Sequence, residues 1–262
     1  MSLPDLKAMW REGRRCVNGW CSIPSTVTAE IAALQPFDTL TVDLQHGLVD
    51  YQAALTMLQA MSRHPGPKLA RTRWNEPGLI MALLDAGFTG IICPMVNSAE
   101  DARRFVSACR YAPRGGRSFG PTRAALVYGA EYVGQADDRI ATLAMIETRE
   151  ALAALDAILG VEELDAVYIG PSDLSLSLGH PPTLMPSEPE VLEAIETIRT
   201  KAQAAGKFAG IHCGDPAGVR ARLEQGFDLA TLSTDTRILS AALAERLDAA
   251  RPEAVEGRKA LY

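Results

Sequence analysis

The chain has 262 residues, 47% of them hydrophobic and 22% charged, with a formal net charge of −6. That acidic balance argues against a general nucleic-acid binder, which would present a basic surface, and no stretch approaches the roughly 18 uninterrupted apolar residues of a membrane span. Met1-Ser2-Leu3-Pro4-Asp5-Leu6-Lys7 has no apolar signal-peptide core. Cys16, Cys21, Cys93, Cys109 and Cys213 are odd in number and contain no CxxC pair, so a reducing cytoplasm is expected rather than a disulfide framework or a structural zinc site.

In chain order, an apolar run at 17–23 precedes an amphipathic stretch at 26–34, and the pattern repeats. Strands are expected at 39–45, 68–72, 90–95, 141–147, 166–170, 208–213 and 229–234. Helices are expected between them at 51–63, 77–86, 99–110, 150–159, 189–205 and 216–225, with a last one at 238–250. In the stretch 99–110, Ala102, Phe105, Val106 and Cys109 share one face at helical spacing. Gly87, Gly160, Gly206 and Gly226 each stand where a helix should stop before the next strand. Eight strands alternating with eight helices predict an α/β fold, a (β/α)8 TIM barrel, which often takes about 250 residues, so 1–262 reads as one domain. No Gly-rich fingerprint follows the first strand, which disfavours an open dinucleotide-binding sheet.

Barrel geometry turns positions into a site, because residues at the C-terminal ends of strands face the catalytic mouth. Asp43, Gln45, His46 and Gly47 follow the second strand, Arg71 and Asn75 the third, Glu147 the fifth, Ser172 and Asp173 the sixth, and His212 lies on the seventh. Glu147 and Asp173 close apolar runs, where an ionised carboxylate leaving a core is costly without a partner. Two acids converging from separate strands can share one divalent cation. Separately, each could cap the helix that follows. By the same residue-level reading Asp85, inside Met81-Ala82-Leu83-Leu84-Asp85-Ala86, is structural, His64 and His180 are loop histidines, and the cysteines are small core residues.

A Schiff-base aldolase needs a lysine in the mouth. The lysines are Lys7, Lys68, Lys201, Lys207 and Lys259. Lys68 and Lys207 begin strands and belong on the opposite rim, and the others fall on termini or a helix. Metal-ion Lewis acidity is then the economical way to stabilise an enolate.

Six ordered segments resemble the HpcH/HpaI aldolase family: Asp43-Leu44-Gln45-His46-Gly47, Arg73-Trp74-Asn75-Glu76-Pro77-Gly78, Cys93-Pro94-Met95-Val96-Asn97, Arg117-Ser118-Phe119-Gly120-Pro121-Thr122-Arg123, Met145-Ile146-Glu147-Thr148 and Tyr168-Ile169-Gly170-Pro171-Ser172-Asp173-Leu174. The resemblance runs from about residue 19 to about residue 235 and implies a metal-dependent (class II) pyruvate aldolase on a phosphoenolpyruvate/pyruvate-type barrel. It implies that Glu147 and Asp173 bind Mg²⁺, Mn²⁺ or Co²⁺, that Arg71 holds the pyruvate oxygen, and that His46, oriented by Asp85, is the general base. Backbone N–H groups of Ser172 and Asp173 would receive the substrate carboxylate. The resemblance thus overrides the structural reading of Asp85. It also implies a homohexamer that exchanges the last helix, 238–250 here, between subunits.

Relatives of this kind commonly carry Gln two residues before the metal glutamate, Glu before the histidine, and an apolar residue at the seventh strand. This chain has Met145, Gln45 and His212 there. These departures touch the pocket wall and the aldehyde side, and make His212 a substrate-binding candidate. Arg123 is a candidate contact for an anionic substrate end, although alternation puts its loop on the opposite rim unless it folds back or serves a neighbouring subunit. The expected reaction is reversible cleavage of 4-hydroxy-2-oxo acids to pyruvate, or hydroxypyruvate, and an aldehyde. Oxaloacetate decarboxylation through the same enolate is the enzymatic alternative, and a catalytically silent binding barrel the non-enzymatic one.

Overall fold

The computed structural model describes residues 2–251. Eight parallel strands pair in sequence order, β1 (Cys16–Cys21), β2 (Thr39–Asp43), β3 (Lys68–Arg71), β4 (Gly90–Cys93), β5 (Ala141–Ile146), β6 (Ala166–Ile169), β7 (Phe208–Cys213) and β8 (Leu229–Leu232), and β8 closes back onto β1. Helix α1 (Leu6–Arg11) precedes the barrel. Its outer layer is α2 (Thr26–Ala33), α3 (Tyr51–Ala60), α4 (Pro77–Ala86), α5 (Ala99–Cys109), α6 (Thr122–Tyr128), α7 (Tyr132–Arg139), α8 (Arg149–Ala153), α9 (Leu155–Leu159), α10 (Pro171–Ser177), α11 (Pro189–Ala204), α12 (Pro216–Glu224) and α13 (Asp235–Ala250). The expected TIM barrel is therefore present.

Period-two alternation sorts each strand into two apolar layers. On β5, Leu143 and Met145 face the barrel axis with Leu69, Ile92, Tyr168 and Leu229, while Ala144 and Ile146 face the helices with Val42, Ile91 and Ile169. Helix α1 plugs the floor: Leu6 and Trp10 join the inner layer, and the Trp10 ring lies 4.9 Å from that of Phe208. The same parity turns Asp43 inward, opposite in sense to Val42, and register sets it beside Arg71 across the β2–β3 ladder.

The expected strands at 17–23, 39–45, 68–72, 90–95, 141–147, 166–170 and 229–234 overran their observed C-terminal ends, because the chain leaves the ladder there to build the mouth. Helices α1, α6, α7 and α10 had no expectation; at six to eight residues they show too little periodicity to stand out. The single helix expected at 150–159 is two, broken at Ala154. Gly87, Gly206 and Gly226 are left-handed as expected of helix stops, with φ of 106°, 71° and 102°. Gly160 is not, since its φ of −70° is ordinary right-handed backbone.

Of the helices that start at the mouth, those after β1 to β5, β7 and β8 begin at Ser25, Asp50, Glu76, Ser98, Thr148, Asp215 and Thr234, whose side chains cap backbone N–H groups. The exception is α10, which starts at Gly170 with no side-chain cap. Helix α13 has no buried residue and exposes Ile238, Leu239 and Leu243; it is rooted by Asp235, whose carboxylate accepts from the Ser22 and Ile23 N–H groups. No helix among the described residues is long and apolar enough to cross a membrane.

Candidate active site

Arg71 ends β3 and is held on three sides. Its Nε and Nη2 donate to the two Asp43 oxygens at 2.8 and 2.6 Å, and its guanidinium lies 4.8 Å above the Trp20 ring. Trp20 in turn donates Nε1–H to Asp43 at 3.3 Å. Burial pushes the Asp43 carboxyl upward, but the fork of Arg71 and the N–H groups of Gln45 and Trp20 outweigh it and hold it below its ordinary range. The carboxylate also orders the next loop, accepting from Gln45 N at 3.0 Å and His46 N at 3.4 Å. Gly47 is required in that loop, since a Cβ there would stand 2.1 Å from the Asp43 carbonyl oxygen. His46 is thereby carried to the mouth with an exposed side chain.

Glu147 follows β5 and is 1% exposed. Its Oε1 accepts from Met95 N at 2.8 Å, and it has no ion pair among the described residues. Met95 presents that N–H from a left-handed backbone, φ 54°. Burial lifts the Glu147 carboxyl to about 7; the Met95 N–H opposes the lift, the Asp173 charge adds to it, and Arg71 acts against it. Its other oxygen, Oε2, lies against Gly170, where a Cβ would come within 2.6 Å. Asp173 is exposed in the first turn of α10. Because that helix has no side-chain cap, the N–H groups of Ser172 and Asp173 are open for a ligand.

The wall continues across β6, β7, β8 and β1. Tyr168 Oη lies 2.7 Å from Thr231 Oγ1 and 3.2 Å from His212 Nδ1, and the His212 ring meets Trp20 edge-on at 4.9 Å. Beneath them, the Asn18 carboxamide ties Thr39, Thr41 and Thr231 together. His212 is buried and packs against the same Trp20 ring as Arg71.

Two expected residues do not reach this mouth within the chain. Asp85 lies near the C-terminus of α4, at the opposite rim, where Arg117 donates to it at 2.6 Å; the expected contact that orients His46 is not made. Alternation explains this, since α4 runs antiparallel to the strands and carries its last turn away from the mouth. Arg123 is on the same rim, donating to the Ala86 carbonyl. Asn75 is taken up structurally, donating to Asp101 O. No described lysine enters the mouth: Lys7 pairs with Asp165, Lys68 and Lys207 donate to carbonyls of the opposite rim, and Lys201 pairs with Asp156. Lys259 lies outside the described residues.

Sequence reasoning missed the parts played by Trp20, Met95, Tyr168 and the Asp43 carboxylate. For Trp20, Asp43 and Tyr168 a signal existed: each shares the inward parity of its strand. For Met95 none did, because its contribution is a backbone N–H.

The family model for HpcH/HpaI aldolase/citrate lyase matches residues 20–242. The chain belongs to that family. It is 45% identical over 246 residues to a hydroxypyruvate/pyruvate aldolase of Rhizorhabdus wittichii, covering 94% of this chain and 98% of the relative. It is 37% identical over 233 residues to a 4-hydroxy-2-oxo-heptane-1,7-dioate aldolase of Salmonella dublin, covering 88% of each. Among solved structures, an HpcH/HpaI aldolase/citrate lyase family protein from Burkholderia cenocepacia superposes with a TM-score of 0.87 at 28% identity, over 94% of this chain and 98% of the other. This HpcH/HpaI family member is accordingly an enzyme of the aldolase type, a carbon–carbon lyase.

Proposed function

We propose that the enzyme reversibly cleaves a 4-hydroxy-2-oxo acid to pyruvate or hydroxypyruvate and an aldehyde, with a divalent cation, Mg²⁺, Mn²⁺ or Co²⁺, held by Glu147 and Asp173. The observation that carries this reading is the state of Glu147: a buried carboxylate with one N–H donor, no ion pair among the described residues, and an oxygen facing the space that Gly170 leaves free. Such a group is costly alone and is matched by a hard ion that takes oxygen ligands. Among the described residues no group of three or more His, Cys, Asp or Glu is placed to hold a metal, so the remaining positions fall to solvent and substrate. When bound, the ion supplies Lewis acidity toward the 2-oxo acid.

The other groups act by position. The open N–H groups of Ser172 and Asp173 receive the substrate carboxylate. Arg71 spends Nε and Nη2 on Asp43, which leaves Nη1 to hold the 2-oxo oxygen as negative charge builds there. His46 takes the 4-hydroxyl proton as the C3–C4 bond breaks; the bond's electron pair passes to the pyruvate fragment and the aldehyde carbonyl forms. His212 and Trp20 line the substrate wall. Asp85 and Arg123 face away from their own mouth, and the unburied apolar side chains of α13 favour an oligomer, a hexamer with that helix exchanged, in which the two residues would serve a neighbouring subunit.

The test is proton exchange at the pyruvate methyl group in D₂O, followed by NMR on chelator-treated protein and again with each cation restored. Exchange that returns only with metal is expected. Metal-independent exchange, or a lysine adduct trapped by borohydride, would overturn the reading.

A further inference from the structure

His212 is a buried polar side chain of β7 with one end unengaged among the described residues. Its Nδ1 is taken by Tyr168 Oη at 3.2 Å, while its Nε2 has no protein partner among the described residues and is not a sealed, orphaned atom. Trp20 and Tyr168 fix the ring: Trp20 packs edge-on at 4.9 Å, and the Tyr168 ring lies 5.9 Å from that of Trp20, nearly parallel to it. Tyr168 is itself tied through Thr231 to Asn18. The imidazole therefore cannot swing away to find another partner. Arg71 lies 4.8 Å from the same Trp20 ring and, with Asp43, acts electrostatically on the imidazole, so His212 stands beside the guanidinium that the aldolase reading gives to the 2-oxo acid.

We propose that His212 is a specificity-determining residue that selects a hydroxyl group on the substrate's carbon chain over a bare hydrocarbon. The proposal rests on the aldolase reading and names the substrate class for it. Burial, with Arg71 and Arg237 adding to it and Asp43 opposing, pushes His212 down to about 3, so the imidazole is neutral at working pH and is not itself a counter-charge to a carboxylate. A hydroxyl both donates and accepts, so it satisfies the free nitrogen in either tautomer. A methyl group in the same place would remove that nitrogen from water and give it nothing in return, which makes discrimination strong in this direction.

The hydroxyl has two sources, the 2-oxo acid and the aldehyde. Matched pairs separate them: hydroxypyruvate against pyruvate with one common aldehyde, and glycolaldehyde against acetaldehyde with pyruvate. The readout is the ratio of kcat/KM within each pair for the wild type, His212→Phe, His212→Leu and His212→Asn. The wild type is expected to favour the hydroxylated member of one pair by about 10-fold or more. His212→Phe, closest in shape, and His212→Leu should abolish that preference, and His212→Asn should restore part of it through its amide. The pair that responds identifies the source. No preference in the wild type in either pair, or a preference that survives in the apolar variants, overturns the proposal. So does an equal fall for both members of each pair, which would mean lost packing alone. If His212→Leu does not fold, His212→Phe against His212→Asn gives the same comparison. Metal-dependent exchange by the wild type without a hydroxyl preference would overturn this proposal and leave the aldolase reading standing, whereas no exchange at all would remove that reading itself.

Discussion

The Asp43 carboxylate grips Arg71 with both oxygens, at 2.8 and 2.6 Å, and accepts from the His46 N–H within the same site. One buried acid thus sets the direction of the guanidinium on β3 and the path of the loop that carries His46. Asp43→Asn keeps the shape but leaves a buried guanidinium without its counter-charge. Breaking one side of a buried pair costs about 3–5 kcal/mol. The variant should show that loss in its urea midpoint, and a fall in kcat/KM beyond what reduced folded protein explains. An unchanged midpoint would mean that Arg71 does not need Asp43.

Gly170 leaves the space in which Glu147 Oε2 stands, 2.6 Å from where a Cβ would be. Gly170→Ala should displace the carboxylate and weaken Mn²⁺ binding by more than about 10-fold, roughly 1.4 kcal/mol, measured by calorimetry on protein whose circular dichroism is unchanged. Wild-type affinity in that variant would remove Glu147 from the proposed metal set. Glu147→Gln should abolish both Mn²⁺ binding and pyruvate methyl exchange.

His46 is exposed, and its side chain makes no hydrogen bond or ion pair among the described residues. His46→Ala is expected to stay within about 0.5 kcal/mol of wild-type stability, retain pyruvate binding, and lose about 10²-fold or more in aldol cleavage, the scale of general-base catalysis. Equal loss of binding and cleavage would reassign His46 to holding the 2-oxo acid.

Acid should expose the buried histidine. His212 titrates near 3 in the native state and at 6.5 when unfolded, so both states are neutral above 6.5. As the pH falls from 6.5 toward 3 the unfolded chain gains a proton that the native chain does not, and stability drops by about 1.4 kcal/mol per pH unit. Glu147 opposes this in metal-free protein: its native value of about 7 exceeds its ordinary 4.5, so the native state takes up the proton first and gains stability as pH falls between those values. Asp43, held below 3.8, contributes stability that is present above 3.8 and lost as pH falls through its lower native value. The His212 contribution is isolated by difference. Urea midpoints of wild type and His212→Asn should converge on a constant offset above pH 6.5, with the variant gaining relative to the wild type at each lower pH. Parallel curves down to pH 4 would show that His212 is accessible to protons in the native state.

Alternating apolar runs, short strands and glycine stops were enough to read the barrel from the sequence, because parallel strands covered on both faces need continuous apolar side chains and helices need a single stripe. Strand ends then marked His46, Arg71, Glu147, Asp173 and His212, and the family resemblance gave them roles. What the sequence could not supply was partnership across strands and the direction in which a helix carries its side chains. The Asp43–Arg71 fork depends on the β2–β3 register, the Glu147 environment on a backbone N–H from Met95 and a missing Cβ at Gly170, and the free edge of His212 on Tyr168 from the neighbouring strand. Asp85 shows the same limit from the other side: the family resemblance pointed it to His46, but the antiparallel course of α4 delivers it to Arg117 at the far rim. Residue type and local period determine which element a side chain rides on; only closure of the barrel decides which side chains meet.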